Sequence, residues 1–189
     1  MSNQRLVVAI SGASGVIYGV RTLERLRELG IESHLVMTRA AKLTLSHETD
    51  LKVADIEARA SVVHPADDIG ASIASGSFRT MGMIVAPCSI RSLSEIATGV
   101  TSGLLARAAD VVLKERRRLV LLVRETPLHA GHLKSMLAVT EIGAIVMPPV
   151  PTLYFPPPSL AEVIDQTVAR ALDLFGLEVH GVPRWEGSR

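Results

Sequence analysis

Two hydrophobic periods alternate along the chain. In residues 6–10, 33–37, 82–86, 119–123 and 144–147 nearly every position is apolar, whereas the longer segments between them carry apolar residues every three or four positions. Short continuous runs are the pattern of parallel strands buried on both faces, and the longer period is that of helices with one apolar stripe. Helices are predicted over residues 16–29, 39–47, 92–97, 104–117, 132–142 and 159–175. The last opens with Ser159 and Glu162 in a capping box. Strands alternating with helices predict an α/β fold, a three-layer Rossmann-like or flavodoxin-like parallel sheet with helices on both faces. Residues 51–68 carry no legible motif.

Composition narrows the class. With 189 residues, 48% hydrophobic content and no long polar tract, residues 1–189 are expected to form a single domain. The appendages are a proline-rich arm at 148–158 and a C-terminal helix and tail. Lysine and arginine number 20 against 19 acids, so no net field favours a nucleic acid or a membrane surface. Aromatic residues make up 3%, too few for a base-stacking platform. No apolar run would span a bilayer or serve as a signal peptide. The lone Cys88 excludes an internal disulfide and fits a reducing, cytoplasmic setting. The six histidines show no metal-ligand spacing, so no metal is expected.

Parallel sheets of this kind bind ligands beyond the carboxyl ends of their strands. The first strand ends in Ser11-Gly12-Ala13-Ser14-Gly15, just before a helix. Free backbone N–H groups and the positive helix end suit a phosphate there, although an ordinary strand-to-helix turn would read the same way. The loop is neither G-x-G-x-x-G nor followed by G-K-[ST], and the second strand ends at Thr38 with its nearest acid, Glu32, in front of it. A nicotinamide cofactor is therefore disfavoured, and a monophosphate such as FMN is open. Other strand ends deliver Thr38, Pro87-Cys88-Ser89, Arg124-Glu125 and Pro148-Pro149. Arg124 either pairs with Glu125 or grips an anion. Cys88 reads as a small buried thiol rather than a nucleophile. The run from Lys114 to Arg118 reads as a solvated helix end of which one member faces the site. The arm carries Tyr154 and Phe155, adjacent large aromatics that suit a pocket cover or a reach to a neighbouring subunit. A homo-oligomer with its site completed between subunits is expected from it.

Several of these segments, taken in order, resemble the UbiX-type flavin prenyltransferases. They are Ser11 to Gly15, Glu48-Thr49-Asp50, Ala74-Ser75-Gly76-Ser77-Phe78, Pro87-Cys88-Ser89, Arg107-Ala108-Ala109-Asp110, Leu113-Lys114-Glu115-Arg116, Arg124-Glu125-Thr126-Pro127, Tyr154 and Pro183-Arg184-Trp185. The resemblance implies a flavodoxin-like domain, commonly dodecameric. It implies the metal-independent transfer of a dimethylallyl group from dimethylallyl monophosphate to N5 and C6 of reduced FMN. The product, prenylated FMN, serves UbiD-type decarboxylases.

By position, the resemblance implies that Gly12, Ala13, Ser14, Thr38, Ser89, Ile90, Arg91, Ser92 and Arg124 hold FMN. Tyr154 and Arg170 would bind the dimethylallyl phosphate, with Lys114 assisting, and Glu48, Lys114 and Glu125 would be catalytic. Loss of an allylic phosphate develops a dianion, which Lys114, Arg170 and the Tyr154 hydroxyl would stabilise. A proton must later leave C6, to Glu125, Glu48 or the retained phosphate. One position departs from the pattern: Gly103 stands where many members have asparagine. The alternatives are an FMN-binding homologue without transferase activity that serves as accessory subunit of an aromatic acid decarboxylase, a decarboxylase in its own right, and a phosphopantothenoylcysteine decarboxylase-like flavoprotein. The last would need a catalytic histidine early in the chain, and none follows the first loop.

Overall fold

The computed structural model describes residues 4–153, 156–182, 184, 185 and 187. Six parallel strands form one sheet in the order β3-β2-β1-β4-β5-β6. They are β1 (Arg5–Ile10), β2 (Glu32–Met37), β3 (Val62–His64), β4 (Gly82–Cys88), β5 (Arg118–Val123) and β6 (Ala144–Val146). The predicted fold class is therefore the observed one. The helices are α1 (Val16–Glu28), α2 (Arg39–Glu48), α3 (Val53–Glu57), α4 (Ile90–Thr98), α5 (Leu104–Lys114), α6 (Ala130–Glu141) and α7 (Leu160–Asp173).

The unbroken apolar runs become strands because each presents side chains to two cores. Leu6, Val8 and Ile10 of β1 face one core with Leu23 and Leu26 of α1, Leu45 of α2 and Val168 and Leu172 of α7. Val7 and Ala9 face the other, with Leu93 of α4, Leu104 and Ala108 of α5 and Val139 of α6. Every one of these residues is buried. Two glycines, Gly12 and Gly19, allow close approaches between elements. A Cβ on Gly19 of α1 would lie 2.4 Å from the Ala86 carbonyl oxygen of β4, and one on Gly12 would lie 2.3 Å from Ala40 Cβ of α2. On the outer face of α1, Arg21 forks onto Asp165 of α7 at 2.7 Å and Arg59, beyond α3, reaches Glu24 at 2.9 Å.

Three elements lie where the sequence shows no pattern: α3, β3 and a 3₁₀ turn over Ser72–Ala74. β3 is a three-residue edge strand with Val62 and Val63 exposed, too short and too one-sided to display a period. The helix predicted to run to residue 117 stops at Lys114, because Arg116 adopts a left-handed backbone, φ 56°. Gly103 supplies no side-chain cap to α5; instead the Ala66 carbonyl accepts the Leu104 N–H at 2.8 Å. Backbone thus does there what an asparagine side chain would do. At α7 the expected Ser159 cap forms, accepting from the Glu162 N–H at 3.3 Å.

Candidate active site

Strand order reverses between β1 and β4, and at such a switch point the loops leaving two adjacent strands diverge to opposite faces and open a crevice. Ser11 bridges these two loops. Its hydroxyl donates to the Pro87 carbonyl at 2.8 Å and accepts from the Ser89 N–H at 2.7 Å. Ser89 in turn caps α4 by accepting from the Ser92 N–H at 3.3 Å, and Thr38 caps α2 by accepting from the Ala41 N–H at 3.1 Å. Gly12, Ala13, Ser14, Thr38, Ser89, Ile90 and Ser92 are thereby brought to one edge, as the strand-end rule predicts.

The first loop differs from a plain phosphate cradle. The Glu48 carboxylate, at the last residue of α2, accepts from the Gly15 N–H at 2.9 and 3.0 Å and from the Val16 N–H at 3.1 Å. It occupies the positive end of α1, where a carboxylate is favoured by the helix dipole. α2 delivers it by running back over the loop, with Ala40 against Gly12. The Gly15 and Val16 N–H groups of that helix end are therefore taken up by Glu48. What the loop still offers are the N–H groups of Gly12, Ala13 and Ser14, which have no hydrogen-bond acceptor among the described residues.

Beside this loop is a cleft of about 500 Å³ whose lining includes Ser14, Tyr18, Arg124, Glu125, Pro149 and Ile164. Of the two outcomes open for Arg124, pairing with Glu125 is not the one observed: its guanidinium makes no hydrogen bond or ion pair among the described residues. Glu125 instead accepts from the Thr126 N–H through Oε1 at 3.1 Å. Tyr18, not singled out from the sequence, has a phenol pushed up by burial and held back by the Arg124 charge. Its place in the α1 stripe concealed it, since an aromatic one turn into an amphipathic helix reads as core. Cys88 is buried at the end of β4, with its thiol pushed up to about 12 by desolvation, so it is no nucleophile at neutral pH.

The remaining residues are elsewhere. Lys114 ends α5 just before β5, at the opposite, amino edge of the sheet, where its Nζ contacts Glu115 Oε1 at 2.5 Å. Arg170 lies in the last turn of α7, 65% exposed and 3.7 Å from Asp173; the helix, predicted to reach residue 175, ends at Asp173, and Phe175 in the turn that follows packs near Gly82 at the start of β4. Arg91 turns outward and pairs with Glu95 at 3.0 Å. A helix that returns a parallel strand to its neighbour runs antiparallel to both, so its C-terminus must lie at the amino edge. Residue type marks Lys114 and Arg170 as anion binders, but topology separates them from the cleft. Tyr154, with Phe155, lies outside the described residues. No group of three or more histidine, cysteine or acidic residues suited to a metal occurs among the described residues.

The Flavoprotein family model matches residues 1–172. The flavin prenyltransferase UbiX of Escherichia coli (strain K12) is 58% identical over 188 residues, covering 98% of this chain and all of that one. The chain belongs to the UbiX-type flavin prenyltransferases. Among solved structures, AnUbiX (PadA1) in complex with FMN and dimethylallyl pyrophosphate superimposes with a TM-score of 0.97 at 48% identity, over 99% of this chain and 100% of that one. A dodecameric FMN-dependent UbiX-like decarboxylase from E. coli O157:H7 gives 0.95 at 46% identity, over 97% and 100%. Of the residues that the resemblance implies for this UbiX-type chain, Ser14, Arg124 and Glu125 line the cleft.

Proposed function

We propose that the protein is a flavin prenyltransferase that joins the dimethylallyl group of dimethylallyl monophosphate to N5 and C6 of reduced FMN. Its product, prenylated FMN, is passed to UbiD-type decarboxylases. The observation that carries this reading is the Arg124 guanidinium, unpaired among the described residues, in a cleft shared with Ser14 of the loop whose Gly12, Ala13 and Ser14 N–H groups have no acceptor among those residues. That donor set fits a phosphate-bearing flavin, and the neighbouring cleft gives room for a second phosphate ester. FMN, when bound, supplies the nucleophilic ring positions at which the new bonds form.

The chain's own groups do the rest. Gly12, Ala13, Ser14, Thr38, Ser89 and Ser92, with the backbone of Ile90 and Arg91 in the first turn of α4, orient the flavin phosphate through short donors that topology fixes in place. Arg124 neutralises charge in the cleft, where Tyr18 and Ile164 limit the access of water. Glu125 has Oε2 free to accept a proton, whereas both Glu48 oxygens are already bound to the α1 N-terminus; Glu125 is therefore the base and Glu48 the group that sets the loop. Lys114, Arg170 and Tyr154 stabilise the departing phosphate from a neighbouring copy, because the first two stand at the amino edge of their own chain. The protein is on this reading a homo-oligomer, a dodecamer like the E. coli O157:H7 relative, built from one flavoprotein domain over residues 1–189 with the 148–158 arm at the contact.

No helix among the described residues is long and apolar enough to cross a membrane. We place the protein in the cytoplasm on the strength of its single thiol. Incubation with reduced FMN and dimethylallyl monophosphate, followed by mass spectrometry of the flavin, tests the activity. A flavin carrying one added five-carbon unit is expected, and unmodified FMN would overturn the reading.

A further inference from the structure

Four helices of this chain end in the same pair of hydrogen bonds. In α1 the Ile31 N–H reaches the Leu26 carbonyl at 2.9 Å and the Gly30 N–H reaches Arg27 at 3.2 Å. In α4 Val100 pairs with Glu95 at 3.0 Å and Gly99 with Ile96 at 3.4 Å; in α7 Leu177 pairs with Leu172 at 3.2 Å and Gly176 with Asp173 at 2.9 Å. α5 makes the same bonds from Arg117 to Val112, 2.9 Å, and from Arg116 to Leu113, 3.0 Å. This ending requires one left-handed residue. It is glycine in the first three, with φ 68° at Gly30, 71° at Gly99 and 73° at Gly176, and arginine at 56° in α5. Arg116 is the one non-glycine residue with positive φ among the described residues. A side chain there crowds Cβ against the backbone, a cost that glycine does not carry.

No side-chain bond among the described residues offsets that cost. The Arg116 guanidinium is exposed and makes no hydrogen bond or ion pair among the described residues, although Glu95, Asp110 and Glu141 line the same groove, about 780 Å³. Its neighbours are committed: Glu115 to Lys114, and Arg117 to the carbonyls of Gly76 and Phe78 at 2.6 and 2.7 Å. Backbone strain retained at one site indicates a use for the side chain. Lys114 lines this groove too, and on the activity proposed above it must reach the carboxyl edge of another copy. The surface that covers the groove is then that copy.

We propose that Arg116 is a subunit-contact residue whose guanidinium binds a carboxylate on a second copy of this chain. The inference rests on the composite site. A planar fork matches a carboxylate with two parallel hydrogen bonds, and burial between copies makes such a pair worth more than it is in water.

The test is Arg116→Gly, which gives α5 the residue its other endings use, with Arg116→Lys and Arg116→Ala as companions. Sedimentation velocity over a concentration series, circular dichroism and prenylation of FMN are measured on each. Arg116→Gly is expected to fold with the parent spectrum yet to dissociate at concentrations at least tenfold above those at which the parent does. Its turnover should fall with assembly and return at high protein concentration. Arg116→Lys should fall between the two, and Arg116→Ala should dissociate like the glycine variant while melting below it. Assembly of Arg116→Gly equal to the parent's overturns the inference, and so does full assembly with a raised KM for dimethylallyl monophosphate, which would make Arg116 a ligand contact. A parent that assembles without prenylating FMN defeats the proposed activity alone, since the assembly comparison still decides Arg116.

Discussion

The two edges of the sheet are built from different donors. The carboxyl edge offers an anion backbone N–H groups, serine and threonine hydroxyls and the ends of α1 and α4, with Arg124 as the charge. The amino edge offers long cations on helix ends: Lys114 at the end of α5, Arg116 just beyond it and Arg170 in α7. The segregation follows from winding. The helices α1, α5 and α6 point their N-termini at the carboxyl edge and their C-termini at the amino edge, whereas α2 runs back over the first loop; helix dipoles favour acids at the N-termini and cations at the C-termini. Glu48 on the α1 N-terminus obeys the same rule. A reaction that needs both oriented N–H donors and a cluster of flexible cations must therefore join the edges of two copies.

The largest expected effect tests that division directly. Lys114→Ala and Glu125→Gln should each slow prenylation by about a hundredfold, the loss of about 3 kcal/mol of transition-state stabilisation. FMN affinity should survive both. Co-assembly of the two inactive variants should restore a measurable fraction of turnover, since some sites then combine an intact amino edge with an intact carboxyl edge. No recovery in mixed oligomers would mean that both groups act within one chain.

A second expectation contrasts the edges in stability. Gly19→Ala forces a methyl group against the Ala86 carbonyl and should destabilise by roughly 1–3 kcal/mol in urea titrations, with weaker FMN binding as β4 and its loop shift. Lys114→Ala at the exposed amino edge should change stability by less than about 0.5 kcal/mol. Equal losses would show that the edges are packed alike.

Glu48→Ala removes the acceptor from two N–H groups at the start of α1 and should cost roughly 0.5–2 kcal/mol, read from the chemical denaturation midpoint. Glu48→Gln, which keeps an oxygen but loses the charge, should cost less. A glutamine variant as damaged as the alanine one would place the whole effect in the charge.

The smallest effect belongs to the ion pairs far from either edge. Burial would raise the Asp165 carboxyl, but the Arg21 hydrogen bond and the charges of Arg21 and Arg25 outweigh it and hold it below the ordinary value. A depressed carboxylate adds stability that is complete above the unfolded value, about 3.9, and is lost as pH falls through the folded one. Asp165→Asn should therefore cost under about 1 kcal/mol at pH 7 and converge on the parent in acid. A gap that persists once the folded-state carboxyl is itself protonated would indicate lost packing instead.

The strand runs, the α1, α2 and α7 stripes and the strand-end residues were legible in the sequence, because a buried parallel strand and a one-sided helix impose periods that local composition must satisfy. Ser11, Thr38, Ser89 and Arg124 could be placed together before any coordinates, since a parallel sheet sends every strand end to one edge. The short β3 and α3 could not: three and five residues hold too little of a period, and their burial comes from neighbours distant in sequence. Tertiary structure alone decided that Glu48 closes the α1 N-terminus, that Arg124 and Glu125 do not pair, and that Lys114 and Arg170 stand away from the cleft. It also stopped α5 at Lys114 and left Arg116 left-handed, without a partner among the described residues. The sequence by itself determined which residues carry charge and which period they follow; direction in space, and hence which charges can meet, arises only when the chain is wound through the sheet.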